Sequence, residues 1–204
     1  MQEPSARSRA IATVVADPPR VHEHAGAQDG VYGTALDCYE FLARHAVPGA
    51  RTLETGLGIS TALFALWGTE HTCVVYDQRE VDVLRAWAQE RDIDLSRMTF
   101  EVGMTDEVLP RLEPTELDLA FIDGGHAFPM AIIDWYYTAG RLRDGGTVVF
   151  DDVQLSSVRL GLFDFLQADP RWEPVAMTGK WAACVRHASG PLREALEAQP
   201  FLNG

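Results

Sequence analysis

Apolar side chains recur along this chain in two alternating patterns. Short apolar-rich runs at residues 51–55, 73–76, 98–102, 117–122 and 147–150 predict buried strands. Between them, residues 60–67, 80–91, 105–112 and 129–142 have the amphipathic character of helices. Another helix is expected within residues 32–45, from the spacing of Leu36, Tyr39, Leu42 and Ala43, with Pro48-Gly49 closing it. Strand and helix in strict alternation predict a parallel sheet with helices on both faces. A last helix near residues 156–167 leads into two strands, 172–177 and 181–186, separated only by Thr178, Gly179 and Lys180. So short a link forces an antiparallel pair. The expected class is α/β: a seven-stranded sheet, mostly parallel, ending in a C-terminal antiparallel hairpin.

The first twenty or so residues, with Pro4, Pro18 and Pro19, show no sustained period. Residues 1–30 are therefore expected to form an arm, partly flexible, and residues 31–204 a single domain. Gly26, Gly30 and Gly33 around Tyr32 would suit the hinges of a lid.

Composition narrows the partners. A chain of 204 residues, 47% apolar and 23% charged, fits one domain. Seventeen basic against thirty acidic residues give a formal charge of −13, which repels a phosphate backbone and excludes nucleic acid as the expected partner. No apolar run approaches the roughly 18–20 residues a bilayer requires, and the patch at residues 11–16 is too short for a signal-peptide core. A cytoplasmic protein with no membrane partner is expected. Cys38, Cys73 and Cys184 are widely spaced in apolar surroundings and read as reduced core thiols. Lys180 is the single lysine.

In a parallel sheet, ligands bind beyond the carboxyl ends of the strands, and four of those turns stand out. The first reads Glu54-Thr55-Gly56-Leu57-Gly58-Ile59-Ser60-Thr61: the glycine pair permits close backbone approach and the next helix offers free N–H groups. Thr61 stands where a dinucleotide fingerprint would have its third glycine. Glu54, an acid at the end of a buried strand, either meets a ligand ammonium or belongs to a buried polar network. Asp77 lies nineteen residues after Gly58, a distance suited to accepting ribose hydroxyls. Asp123, Asp151 and Asp152 follow neighbouring strands and should converge. Three carboxylates in one cleft call for a cation, and oxygen ligands suit Mg²⁺, Mn²⁺ or Ca²⁺; the other reading is that Asp151 and Asp152 cap a helix and Asp123 faces water. His126 is either a general base or a loop residue orienting Asp123. His22 and His24 read as an exposed loop, and Trp135, Tyr136 and Tyr137 as core.

Together, the Glu54 turn, Asp77, Asp123 and the terminal hairpin resemble class I S-adenosylmethionine-dependent methyltransferases, which have a Rossmann-like sheet. The resemblance spans about residues 35–187. Phe121-Ile-Asp-Gly-Gly-His-Ala-Phe and Leu142-Arg-Asp-Gly-Gly-Thr-Val-Val-Phe-Asp-Asp-Val are similar to the macrocin-type sugar O-methyltransferases, akin to the catechol-type metal-dependent enzymes. The resemblance implies S-adenosylmethionine on Glu54, Gly56, Gly58, Ser60, Thr61 and Asp77, with Met104 and Thr105 beside the adenine and Asp123 also at the cofactor. It further implies Mg²⁺ on Asp123, Asp151 and Asp152; such an ion would depress the pKa of an acceptor hydroxyl while His126 or Asp123 accepts the proton. Catechol-type enzymes have a lysine where this chain has His126, and Lys180 lies in the far hairpin, so no lysine base is expected. The implied function is methylation of a hydroxyl on a small acceptor, a natural-product sugar or a catechol, in a chain that forms a homo-oligomer if a second copy walls the acceptor site. The alternatives are a metal-independent methyltransferase and a non-methylating relative of the cephalosporin hydroxylase type.

Overall fold

The computed structural model describes residues 5–22, 30–159, 163–190 and 192. His24 and Gly26 lie outside the described residues. In chain order the elements are α1 (Ala6–Ala16), α2 (Leu36–His45), β1 (Arg51–Thr55), α3 (Ile59–Trp67), β2 (Glu70–Val75), α4 (Gln78–Gln89), β3 (Met98–Val102) and α5 (Thr105–Val108). Then follow β4 (Leu117–Ile122), α6 (Met130–Ala139), β5 (Leu142–Phe150), α7 (Ser156–Arg159), α8 (Phe163–Ala168), β6 (Trp172–Met177) and β7 (Ala182–Arg186).

The seven strands form one sheet in the order β3-β2-β1-β4-β5-β7-β6. β1 to β5 pair in parallel, whereas β7 runs antiparallel between β5 and β6. The order reverses between β1 and β4, which opens the ligand crevice of such sheets at their carboxyl ends. Alternation along the strands feeds two cores. On β4, Leu119 and Phe121 join one face with α1, α2, α3 and α4 side chains such as Ile11, Leu42, Phe64 and Leu84. Ala120 and Ile122 join the other, with Val148, Phe150, Leu166 and Trp172. Both faces are buried, as the apolar strand runs required.

Several elements depart from the sequence expectation. The N-terminal stretch forms α1: Ser5 caps it through Ser8 N (3.1 Å), and Ile11 and Val14 are buried. Arg7 donates to the Ala43 carbonyl (2.8 Å) and Trp87 Nε1 to the Asp17 carbonyl (3.1 Å), tying both ends of α1 to the body. The helix expected to run to Leu142 stops at Ala139, and β5 starts at Leu142, with a register break opposite Leu117 and Leu119. Between Leu142 and Thr147, which pair with Leu117 and Leu119, the strand carries extra residues, among them Gly145 with φ +75°. The expected helix over residues 156–167 is two short ones, α7 and α8. All three cysteines are free and buried, and burial pushes the Cys184 thiol up to about 11. Among the described residues no helix is long and apolar enough to cross a membrane.

Candidate functional site

A cleft of about 760 Å³ opens at the carboxyl ends of the strands. Its floor is the turn from β1 into α3. Gly56 has φ +91°, its N–H donates to the Val74 carbonyl (2.9 Å), and the position of a Cβ there would fall 2.2 Å from the Asp123 carbonyl oxygen. Only glycine fits both the left-handed backbone and that approach. Gly58 N donates to Thr61 Oγ1 (2.9 Å), and Gly56, Gly58 and Ser60 line the cleft beside the start of α3.

Glu54 takes the second of its two readings. Its side chain is buried behind the turn, where its Oε1 accepts from Thr61 Oγ1 and stands 3.6 Å from His71 Nε2. His71 is held in turn by Thr52 Oγ1 (2.7 Å) and by stacking on Phe64 (4.4 Å). Glu54 and Thr61 therefore brace the turn from beneath. At the end of β2, Asp77 caps α4 by accepting from Arg79 N (2.9 Å), while Tyr76 and Glu80 line the cleft. Met104 and Thr105 line it beyond β3. His22, expected in an exposed loop, is instead part of the wall, with its Nδ1 3.2 Å from Glu80 Oε1 and its ring 5.0 Å from that of Tyr32.

At the other end of the cleft the three aspartates do converge. Asp123 is half-buried after β4, and burial, followed by repulsion from Asp151, raises its pKa well above the ordinary carboxylate range. Asp152 adopts a left-handed φ of +54° that aspartate tolerates. Its Oδ2 meets His126 Nε2 at 3.0 Å. Burial pushes the Asp152 pKa upward, but Lys180, Gln154 and His126 more than offset this and hold it below the ordinary range. Ligand atoms of Asp123, His126 and Asp152 lie within 4.8 Å of one another. Asp151, expected as a metal ligand, does not join them: Oδ1 accepts from Thr34 Oγ1 (2.6 Å) and Oδ2 pairs with Lys180 Nζ (3.0 Å).

Lys180 is the largest correction to the sequence reading. The hairpin is far along the chain, yet β7 is antiparallel to β5 and Ala182 pairs with Phe150, so the residues before β7 sit beside Asp151 and Asp152. Its ammonium contacts both carboxylates, Asp151 Oδ2 and Asp152 Oδ1. The carboxylates expected to hold a divalent ion already hold a cation: both Asp151 oxygens are engaged, by Thr34 and Lys180, and an ion on Asp152 would compete with the lysine. The sequence shows the hairpin but not which strand it joins, so the place of its turn beside Asp151 and Asp152 follows only from the pairing of β7 with β5.

Beneath the turn after β4, Asp134 on α6 is fully buried, and a Cβ on Gly124 would lie 2.9 Å from its Oδ2 and 3.0 Å from Thr55 Oγ1. The Thr55 and Thr105 hydroxyls close no well-formed hydrogen bond to it. Burial raises its pKa from 3.8 to about 6, although those threonines pull it down. The neutral form is favoured in the folded chain, so its contribution to stability is full below pH 3.8 and lost as pH rises through about 6. Asp134→Asn is expected to melt higher than the parent at pH 8, by up to about 3 kcal/mol in stability, with the gap shrinking toward pH 4. Thermal melts across that range test this; a gap independent of pH would refute it.

Residues 53–153 match the family model of a methyltransferase domain. No curated protein sequence matches the chain. Among solved structures it is similar to cofactor-bound Rv0187 from MTB (TM-score 0.70, 19% identity, covering 89% of this chain and 91% of that one). It is also similar to the O-methyltransferase TomG from Streptomyces achromogenes, involved in tomaymycin synthesis and solved with SAM (0.65, 17%, 92% and 92%). An O-methyltransferase from Bacillus cereus in complex with SAH gives 0.66 at 14%, over 87% and 90%. At these identities the likeness is one of fold.

Proposed function

We propose that the chain is a class I S-adenosylmethionine-dependent methyltransferase that methylates a hydroxyl oxygen of a small molecule, a reading supported by the methyltransferase-domain match over residues 53–153 and by the fold likeness to O-methyltransferases solved with SAM or SAH. The observation that carries this reading is one cleft joining the Gly56–Ser60 turn to the His126–Asp152 pair. When bound, S-adenosylmethionine supplies a sulfonium methyl group that an oxygen displaces in line, the C–S electron pair staying on sulfur. The Gly56 cradle and the first N–H groups of α3 would hold its methionine end, the end of β2 with Glu80 and Asp77 its ribose, and Met104 and Thr105 its adenine.

The protein's own part is alignment and proton removal. His126 accepts the acceptor O–H proton, and Asp152, 3.0 Å from Nε2, holds the imidazole in orientation and stabilises its charged form. Asp123 sits where the glycine turn and this pair meet, since its carbonyl touches Gly56 and its carboxylate lies with His126. No step is assigned to a divalent ion, because Lys180 is already on the carboxylates that would bind it.

The acidic cluster and the charge of −13 disfavour anionic acceptors and suit a neutral polyol or phenol, such as a sugar hydroxyl of a natural product or a catechol. The similar TomG is an O-methyltransferase involved in tomaymycin synthesis, which supports an oxygen of a small molecule as the methyl acceptor. Calorimetric titration with S-adenosylmethionine in EDTA tests the cofactor, and a mass-spectrometric screen of neutral hydroxyl acceptors tests the reaction. The expected result is binding followed by S-adenosylhomocysteine and a methyl ether. Absence of binding would overturn the reading; binding without turnover on any hydroxyl would turn it toward a non-methylating relative.

A further inference from the structure

We propose that Lys180 is the resident cation of the acceptor end of the cleft, taking among Asp123, Asp151 and Asp152 the place that a divalent ion would otherwise fill. The inference rests on the methyltransferase reading for its catalytic meaning, but its geometry stands without it.

The lysine is built into place. Lys180 N and Trp181 N donate to Thr178 Oγ1 (3.1 and 2.9 Å), Thr178 N donates to the Trp181 carbonyl (2.9 Å), and the Lys180 carbonyl accepts from Val153 N (2.9 Å). Trp181 anchors the turn: it is buried, its indole N–H donates to Asp37 Oδ1 (2.9 Å), and it packs on Phe41. The turn thus has one backbone bond to the segment after β5 and one side-chain anchor to α2. The backbone that carries the lysine is fixed from both sides, and swinging the ammonium away would break its pairs with Asp151 and Asp152.

The ammonium also completes the partners of the acids. Asp151 holds Thr34 and Lys180; Asp152 holds Lys180 and Gln154 Nε2 (2.5 Å) on Oδ1 and His126 on Oδ2. A lysine Nζ has three N–H donors, and two are used here. The side chain is 32% exposed and lines the cleft, leaving one N–H for an acceptor oxygen. In the reaction that N–H would bind the acceptor oxygen as it gives its proton to His126 and gains negative charge. A dication added among these carboxylates would stand against the ammonium, an arrangement that Coulomb repulsion disfavours.

The test needs no acceptor. Mn²⁺ is titrated into the full chain and followed by electron paramagnetic resonance, for the parent, Lys180→Met and Lys180→Arg, with circular dichroism to confirm that each is folded. Lys180→Met is expected to bind Mn²⁺ at least about tenfold more tightly than the parent, because a positive charge has left the carboxylates. Lys180→Arg keeps the charge and should behave like the parent; it carries the comparison if the methionine variant fails to fold, tight Mn²⁺ binding by it or by the parent counting against the proposal. Equal Mn²⁺ affinity in parent and Lys180→Met, or none in either, would overturn it. Titration with S-adenosylmethionine in EDTA is run on the same samples. Its failure would strike the methyltransferase reading and leave the Mn²⁺ result to decide the lysine. With an acceptor in hand, parent turnover should be unchanged by EDTA, whereas Lys180→Met should lose it in EDTA.

Discussion

Gly56→Ala is expected to abolish S-adenosylmethionine binding and to lower the melting temperature by about 10 °C or more. Alanine at φ +91° is strained, and its Cβ would stand 2.2 Å from the Asp123 carbonyl oxygen. That atom is backbone at the end of β4, and Asp123 N donates to the Thr55 carbonyl (3.1 Å), so relief means parting β1 from β4. Left-handed strain and overpacking together cost about 4 kcal/mol. Gly58→Ala is the internal control. Its φ of −177° suits any residue, and the nearest atom to its Cβ is Tyr32 O at 3.6 Å. It should melt like the parent, so any loss of cofactor affinity in that variant would come from crowding the cleft. Differential scanning calorimetry and isothermal titration separate the two; a Gly56→Ala protein that melts and binds normally would remove the turn from the cofactor site.

The second large effect is on turnover. His126→Ala is expected to slow methyl transfer by about 10²-fold or more, the usual contribution of a positioned base, while leaving S-adenosylmethionine affinity unchanged. The side chain is 41% exposed and makes its ion-pair contact at Asp152, away from the β1 turn, so folding should be untouched. Asp152→Asn should cost less, because it leaves the imidazole in place but loosens its orientation and removes the anion that favours the charged form. Single-turnover formation of S-adenosylhomocysteine, with the acceptor found by the screen, measures both. Near-parental turnover in His126→Ala would shift the base to Asp123, the acid that burial and Asp151 hold above the usual range.

Much of this protein is written in its local pattern. Apolar strand runs alternating with amphipathic stretches sufficed for the class, the mostly parallel sheet and the terminal hairpin, because burial on both faces leaves strands little other composition. Gly56, the strand-end aspartates and His126 were legible for a related reason: in such sheets the carboxyl ends converge by topology, whatever the side chains. Two elements were harder. α1 has a weak apolar face, and its helix depends on burying Ile11 and Val14 against the body, while β5 extends back to Leu142 only because β4 is there to pair with.

What the tertiary structure alone decided is the partner of each charge. Glu54 could have faced a ligand; packing put it behind the turn with Thr61 and His71. Lys180 follows Asp151 by nearly thirty residues, yet antiparallel pairing of β7 with β5 brings its ammonium onto both acids, so that an apparent metal cluster already holds a cation. Local sequence dictates which backbone forms, through periodicity and turn chemistry. Which charges neutralise one another depends on distances of a few ångströms between segments remote in the chain, and those exist only once the sheet has closed.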